Sequence, residues 1–299
     1  MRRPSNPEVD ALIGKRFPVL DHGFVCLVDY MGDDQAIVQA ARVSYGAGTK
    51  KGRTDRGLIR YLLRHRHTTP FEMVEFKFLV RLPMFVARQK IRHRTANVNE
   101  YSARYSIVPD EFYVPPVDAI RKQSLRNRQG RDEPAPLEVA KRFQEEVKRL
   151  ANDSYQVYKW ALDEGIAREL ARIVLPVGYY TEWYWKIDLH NLFHFLSLRM
   201  DPHSQDEIRA FAAEMAKLAR PVCPIAFEAF DEFTLEGMRL SKAEQAALAA
   251  MLEGKNLEGA CEVAGLKLVD AKGQPAKSGE GVEFREKLER IKARMGGLE

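Results

Sequence analysis

The chain has 299 residues, 45% hydrophobic and 30% charged, with a formal net charge of +5. A chain of this length buries roughly 75% of its unfolded surface, so it needs no disulfide or metal staple, and its composition excludes a disordered, collagenous or membrane-spanning protein. Apolar runs such as Ile173 to Val177 fall far short of the ~20 residues of a bilayer span, and Cys26, Cys223 and Cys261 include no C-x-x-C pair, which together point to the reducing cytoplasm.

The opening residues, MRRPSNPEVD, lack the apolar core of a signal peptide, and residues 1–20 read as an N-terminal extension. Asp33 and Asp34 are placed to cap a helix running through Tyr45. Thr54 opens a second helix, whose Leu58, Ile59, Leu62 and Leu63 share one face. Thr69-Pro70 marks a turn or a short helix start. Val74, Phe76, Phe78, Val80 and Leu82 then alternate strictly, the pattern of a half-buried strand. Pro83 ends that strand and suits the first turn of a helix to about His93, which stacks Arg88 and Arg92 one turn apart.

Residues Gln123 to Pro136 are polar and turn-rich, as in an exposed loop. A long helix follows, with the stripe Val139, Phe143, Val147, Leu150, Ser154, Tyr158 and Leu162, and Gly165 is placed to end it. Ala167 to Leu175 continues as a shorter helix stopped by Pro176. Alternation from Tyr179 to Asp188 predicts a second strand. Asp188 can cap the helix Leu189 to Arg199, which sets His190, His194 and Ser197 on one face. Ser204-Gln-Asp-Glu207 is a capping-box pattern opening Ile208 to Arg220, and Pro221 closes that helix.

From about Asp231 the character changes. Ser241-Lys-Ala-Glu244 opens a helix, a Gly- and Lys-rich stretch follows, and a charged helix carries Phe284, Leu288, Ile291 and Met295. The expected organisation is a domain over 21–230 with a C-terminal helical extension over 231–299. Strands that do not alternate as β-α-β units make the class α+β, an antiparallel or mixed sheet packed with long helices.

Basic residues crowd into one stretch, with Lys77, Arg81, Arg88, Lys90, Arg92, His93, Arg94 and Arg104. Guanidinium groups fit phosphate oxygens bidentately, and the neighbouring Glu100 and Ser102 can complete recognition of a sugar and base. A solvated charged face and a nucleic-acid-binding face over 77–104 are the competing readings. His190 and His194, four apart, are placed to bind a metal from one helix face, as in a histidine-metal hydrolase, with Asp201 or His203 as third ligand. No H-E-x-x-H is present, and no metal is expected. Cys223 in Pro-Val-Cys-Pro reads as a small apolar residue rather than a thiolate nucleophile. Trp183 and Trp185 read as strand packing rather than as a stacking platform.

Arg92, His93, Arg94, Ser102 and Arg104 form R-H-R, seven residues, then S-x-R, which resembles the signature of the flavin-dependent thymidylate synthases, the ThyX family. The resemblance continues in family order through Asp21-His-Gly-Phe-Val, Ala41-Arg-Val-Ser44, His65-x-His67-x-Thr69-Pro-Phe-Glu72, Phe85-Val-Ala-Arg-Gln89, Ala171-Arg-Ile-Val-Leu-Pro176 and Asn191-Leu-Phe-His194-Phe-Leu-x-Leu-Arg199. It implies methylation of dUMP to dTMP, with methylenetetrahydrofolate as carbon donor, FAD as cofactor and NADPH as reductant, in a homotetramer with shared sites and without nucleic-acid or membrane partners. The protein then contributes binding, orientation and electrostatics rather than a nucleophile.

By the same resemblance, Gln89, Arg92, Glu100, Ser102 and Arg104 surround dUMP, and Arg172 reaches the nucleotide from a neighbouring subunit. Arg199 matches the arginine that contacts the uracil and stabilises negative charge at N3, which makes it the expected catalytic residue. Thr69, Arg92, His93, Arg94, Glu100, Asp188, His190 and His194 match FAD-binding positions, with Ser44 and Glu72 as weaker candidates. His67 matches a histidine near flavin and folate, its alternative being a solvent-facing residue at a helix end. Asp188 is equally placed to act only as a helix cap.

Overall fold

In the computed structural model, which describes residues 6–43, 54–124 and 130–295, the alternating segment after Val74 becomes the middle strand of a five-stranded sheet. A short helix α1 (Pro7–Asp10) precedes strand β1 (Phe17–Val19), which turns back into β2 (Gly23–Met31). Only glycine suits that turn at Gly23, because a Cβ there would stand 2.6 Å from the Val19 carbonyl oxygen and 2.8 Å from that of Arg81. α2 (Asp34–Arg42) takes Asp33 as its N-cap and Val43 as its C-cap, and Ser44 and Tyr45 lie outside the described residues. α3 (Asp55–Arg64) takes Thr54 as its N-cap, and the Thr69-Pro70 turn is a 3-10 helix over Thr69–Met73.

β3 (Glu75–Pro83) runs antiparallel to β2 and leads directly into α4 (Met84–Lys90). The expected helix to His93 is therefore shorter. Arg92 lies in the turn beyond it, so Arg88 and Arg92 do not stack on one helical face. β4 (Asn97–Glu100) is the far edge of the sheet. The segment read as an open loop instead pairs its ends, β5 (Arg121–Gln123) with β6 (Arg131–Pro134). α5 (Leu137–Asp163) stops where Gly165 adopts φ +76°, and α6 (Arg168–Ala171) passes into a 3-10 turn over Arg172–Val174. β7 (Tyr180–Asp188) inserts between β3 and β4, giving the all-antiparallel order β1-β2-β3-β7-β4.

α7 (Leu189–Arg199) follows with Asp188 as its cap, then α8 (Asp206–Ala219) and α9 (Pro224–Phe230). The expected capping box at Ser204 does not form. Gln205 is the N-cap residue, the Ser204 hydroxyl is buried without a partner, and Glu207 is engaged by other residues. Phe76, Phe78, Val80 and Leu82 of β3 are fully buried, as are Leu189, Leu192, Phe195 and Leu196 of α7 and Phe211 and Met215 of α8. This helix-on-sheet core fixes where the α4 and α7 side chains emerge. The stretch read as an N-terminal extension also joins this core: β1 extends the sheet, and Val9 belongs to the same cluster.

A second compact unit spans Glu236 onward, beyond the boundary at Leu235. The expected capping box does form there: Ser241 and Glu244 bond reciprocally at the start of α10 (Lys242–Leu252). α11 (Leu257–Ala264) and α12 (Glu280–Met295) complete it around Ala247, Ala260, Cys261 and Phe284, and Lys287 pairs with the buried Glu244.

Candidate active site

The turn after α4 and the last turns of α7 bring one group of candidates together. Arg199 Nε donates to His93 Nε2 at 3.1 Å, and its Nη2 lies 3.5 Å from the main-chain oxygen of Gln89. The rings of His93 and His194 are 5.9 Å apart. Burial first, then the positive charges of Arg199 and Lys90 and the nearby His194, push His93 down to about 4. It is neutral at physiological pH and can accept the Arg199 bond, which places its own proton on Nδ1. Arg92 and Arg94 stand exposed beside it.

Beneath this group lies a residue that the sequence counted among its surface cations. Lys90 is fully buried, its Nζ 3.4 Å from the ring centre of Trp185, 4.2 Å from that of Phe195 and 3.1 Å from the Met215 sulfur. Burial, and secondarily the charge of Arg199, hold its amine well below the usual lysine range. Lys77 packs over Tyr184 and Arg81 pairs with Glu111, so the basic run does not form a continuous phosphate-tracking face. The alternation of β3 and the inward turn of α4 disperse it.

A second group gathers at the sheet edge. Glu100, at the end of β4, accepts from the Thr181 hydroxyl at 2.6 Å. Ser102 Oγ accepts from the Arg104 main-chain N–H at 3.3 Å. Ala103 shares a small core with Ala171, Tyr158 and Tyr179, which draws the Ser102–Arg104 loop and the segment bearing Arg172 together within one chain. Arg172 follows Ala171 of that cluster, as Ser102 and Arg104 flank Ala103. Among the described residues no hydrogen bond or ion pair joins the first group to the second, and no carboxylate pairs with Arg92, Arg94, Arg104, Arg172 or Arg199.

The remaining candidates flank α7 and the turn before β3. Asp188 accepts from the Asn191 main-chain N–H at 2.9 Å and side-chain amide at 2.7 Å, so its cap is formed. His190 is half-buried on the first turn of that helix. Thr69 and His67 are exposed before β3, with the His67 ring 5.9 Å from Tyr61, and Glu72 is half-buried. Ser44 lies outside the described residues. Among the described residues no three His, Cys, Asp or Glu side chains gather as a metal site, and His203 instead contacts Asp201 at 2.9 Å. Cys223 is fully buried in the core, and its thiol is pushed well up by burial first and by Asp34 and Asp33 next. That suits an apolar role.

The donor set fits a flavin dinucleotide and a nucleotide substrate. Unpaired guanidinium groups await phosphate oxygens, and a neutral imidazole is fixed beside them. Gln205, Glu207 and Arg131, which border Gln89, were not found from the sequence. Their contacts span 76 to 116 residues, and no local pattern marks them.

Comparison with known proteins identifies the family. The family model described as "Thymidylate synthase complementing protein" matches residues 26–225. A flavin-dependent thymidylate synthase of Dictyostelium discoideum is 56% identical over 238 residues, 77% of this chain and 78% of that protein. One from Gluconobacter oxydans (strain 621H) is 53% identical over 258 residues, 85% of each chain. Among solved structures, the UMP/dUMP methylase PolB from Streptomyces cacaoi bound with 5-Br UMP has a TM-score of 0.66 at 38% identity, covering 73% of this chain and 97% of that one. With the family model matching residues 26–225 and relatives more than 50% identical over most of their length, this chain belongs to the flavin-dependent thymidylate synthase family.

Proposed function

We propose that the chain catalyses the reductive methylation of dUMP to dTMP, taking its carbon from methylenetetrahydrofolate and its reducing equivalents from NADPH. The carrying observation is that, among the described residues, Arg92, Arg94 and Arg199 pair with no carboxylate beside a neutral His93. When bound, FAD supplies the redox chemistry that reduces the transferred carbon. Arg92, His93 and Arg94 hold it, with Thr69, Glu100, Asp188, His190 and His194 around it and His67, Glu72 and Ser44 nearby. Asp188 serves both as cap and as neighbour.

Gln89, Arg92 and Arg199 hold dUMP on one side and Glu100, Ser102, Arg104 and Arg172 on the other. Arg199 is the catalytic residue. Its guanidinium is oriented by the bond to His93, which engages Nε and leaves Nη1 to a ligand. A positive charge fixed beside the pyrimidine stabilises negative charge there as C5 becomes nucleophilic, without a thiolate at C6. Ser102 acts as a phosphate or sugar ligand.

The two groups of nucleotide residues support a site completed between subunits. The exposed Phe143 and Leu150 of α5 support the homotetramer that would bring them together. No helix among the described residues is long and apolar enough to cross a membrane, and we place the enzyme in the cytoplasm.

The test is release of tritium from C5-labelled dUMP with methylenetetrahydrofolate, with FAD and NADPH present or omitted together. Release coupled to dTMP formation only when both are present is expected. Equal release without them would overturn the reading and return attention to Cys223.

A further inference from the structure

Glu207 lies on the first turn of α8, 3% exposed, and is surrounded by donors. The Tyr113 hydroxyl donates to it at 3.2 Å, and Arg131 Nη2 reaches its two oxygens at 2.8 and 2.6 Å. The Gln205 side chain also favours its ionised form. Burial acts to raise the carboxyl, and the bonds from Arg131, its own main-chain N–H and Gln205 outweigh that, holding it below the usual carboxylate range. Glu207 is therefore an anion that only accepts.

Gln205 Oε1 accepts from Gln89 Nε2, which leaves the Gln205 NH2 to turn toward the anionic Glu207. The Gln89 NH2 is then engaged, and its carbonyl oxygen is the end of the chain of bonds left for a ligand. Flipping either amide would set two NH2 groups, or an oxygen and a carboxylate, against each other and forfeit a part-buried bond.

We propose that Gln205 is a positioning residue for the methylation reaction: anchored by Glu207 and Arg131, it sets the Gln89 amide so that its carbonyl oxygen faces the nucleotide and selects a hydrogen-bond donor there. The donor is a pyrimidine imide N–H or a sugar hydroxyl. A base that offers a lone pair at the same position, as cytosine does at N3, meets an acceptor and is disfavoured. The inference rests on Gln89 being a dUMP ligand, as read above.

The experiment is a double-mutant cycle on the FAD-loaded enzyme, reading the equilibrium Kd for dUMP, with the flavin spectrum as a check of folding. Gln205→Met, which keeps the volume but removes the acceptor, should weaken dUMP about fivefold, the size of one net hydrogen bond. Gln205→Asn, too short to span Glu207 and Gln89, should lose about the same. In the Gln89→Met background, Gln205→Met should cost nothing further. If Gln89→Met leaves the Kd unchanged, the reading of Gln89 falls and the proposal with it. If Gln89→Met weakens binding and neither Gln205 variant does, or the losses simply add, the positioning role is overturned while Gln89 stands.

Two analogues identify the donor. N3-methyl-dUMP and 2′,3′-dideoxyuridine monophosphate each lack one of the candidate groups. The proposal expects Gln205→Met to cost nothing more on one of them, and an undiminished loss on both would overturn it.

Discussion

α5 and α7 both carry apolar stripes at helical spacing, and they dispose of them in opposite ways. α7 closes over the sheet, and Leu189, Leu192, Phe195 and Leu196 are fully buried within the single chain. α5 buries only Ala140, Ala151, Tyr158 and Ala161, leaving Phe143 and Leu150 more than half exposed at 52% and 54%. The α7 face is finished by the chain's own fold. α5 has a finished backbone and an unfinished surface, and patches of that kind mark protein–protein interfaces or ligand-binding grooves, the first of which the proposed assembly requires. The two groups of nucleotide-binding candidates divide in the same way, one tied to α7 and the other packed against α5 through Ala103 and Tyr158.

The strongest way to break this comparison acts on the chemistry at the end of α7. Arg199→Ala should lower turnover about 10²- to 10³-fold, the scale for removing one charge-stabilising donor, with FAD still bound. Arg104→Ala, on the other group, should be similarly impaired. Mixing the two inactive proteins after mild dissociation should restore about a quarter of wild-type activity, because random pairing reunites two intact halves at that frequency. No recovery after verified subunit exchange would show that each site belongs to one chain.

A smaller effect is expected on α5. Phe143→Glu with Leu150→Glu should dissociate the assembly, seen by sedimentation velocity, and reduce activity about tenfold or more at micromolar enzyme. The far-ultraviolet dichroism should stay unchanged, since neither side chain is needed to build the chain's core. Retention of the wild-type sedimentation coefficient would sink the assignment of that face.

The smallest effect sharpens the contrast on the α7 side, whose burial encloses Lys90. Lys90 carries a proton in the unfolded chain up to about pH 10.4 and loses it much earlier when folded. Between those values the unfolded state binds more protons, so stability rises with pH over that interval, up to about 10. His93 adds the same sign of slope between about 4 and 6.5, its ordinary value. Lys90→Met should raise stability at pH 7 by about 1 kcal/mol and flatten the alkaline rise, measured by urea unfolding at pH 7 and 9. Equal slopes in the two proteins would exclude Lys90 as the source.

The strands β3 and β7, the caps at Asp33, Thr54 and Asp188 and the R-H-R segment were legible in the sequence because each is written in neighbouring residues. Ser204-x-x-Glu207 misled for the same reason. The local pattern was present, but Arg131 and Tyr113 arrive from far along the chain and offer Glu207 stronger partners. Lys90 was legible as a cation and not as a buried one, since its surroundings come from Trp185, Phe195 and Met215, on three elements other than its own. The α5 stripe could be seen in the sequence, and what covers it could not, because periodicity records that a face is apolar and not whose surface meets it.

The enclosure of Lys90 also gives the enzyme an internal clock. An amine that burial pushes toward its uncharged form is nucleophilic toward acylating reagents, yet here it is walled off by two aromatic rings and a thioether. Exposed Lys77 should acylate at once, whereas Lys90 can react only when α4 lifts from the sheet. The labelling rate of Lys90, followed by peptide mass, therefore counts those openings directly. Because the neighbouring Gln89 and His93 move with the same backbone, nucleotide and flavin should each slow that count by holding the turn closed.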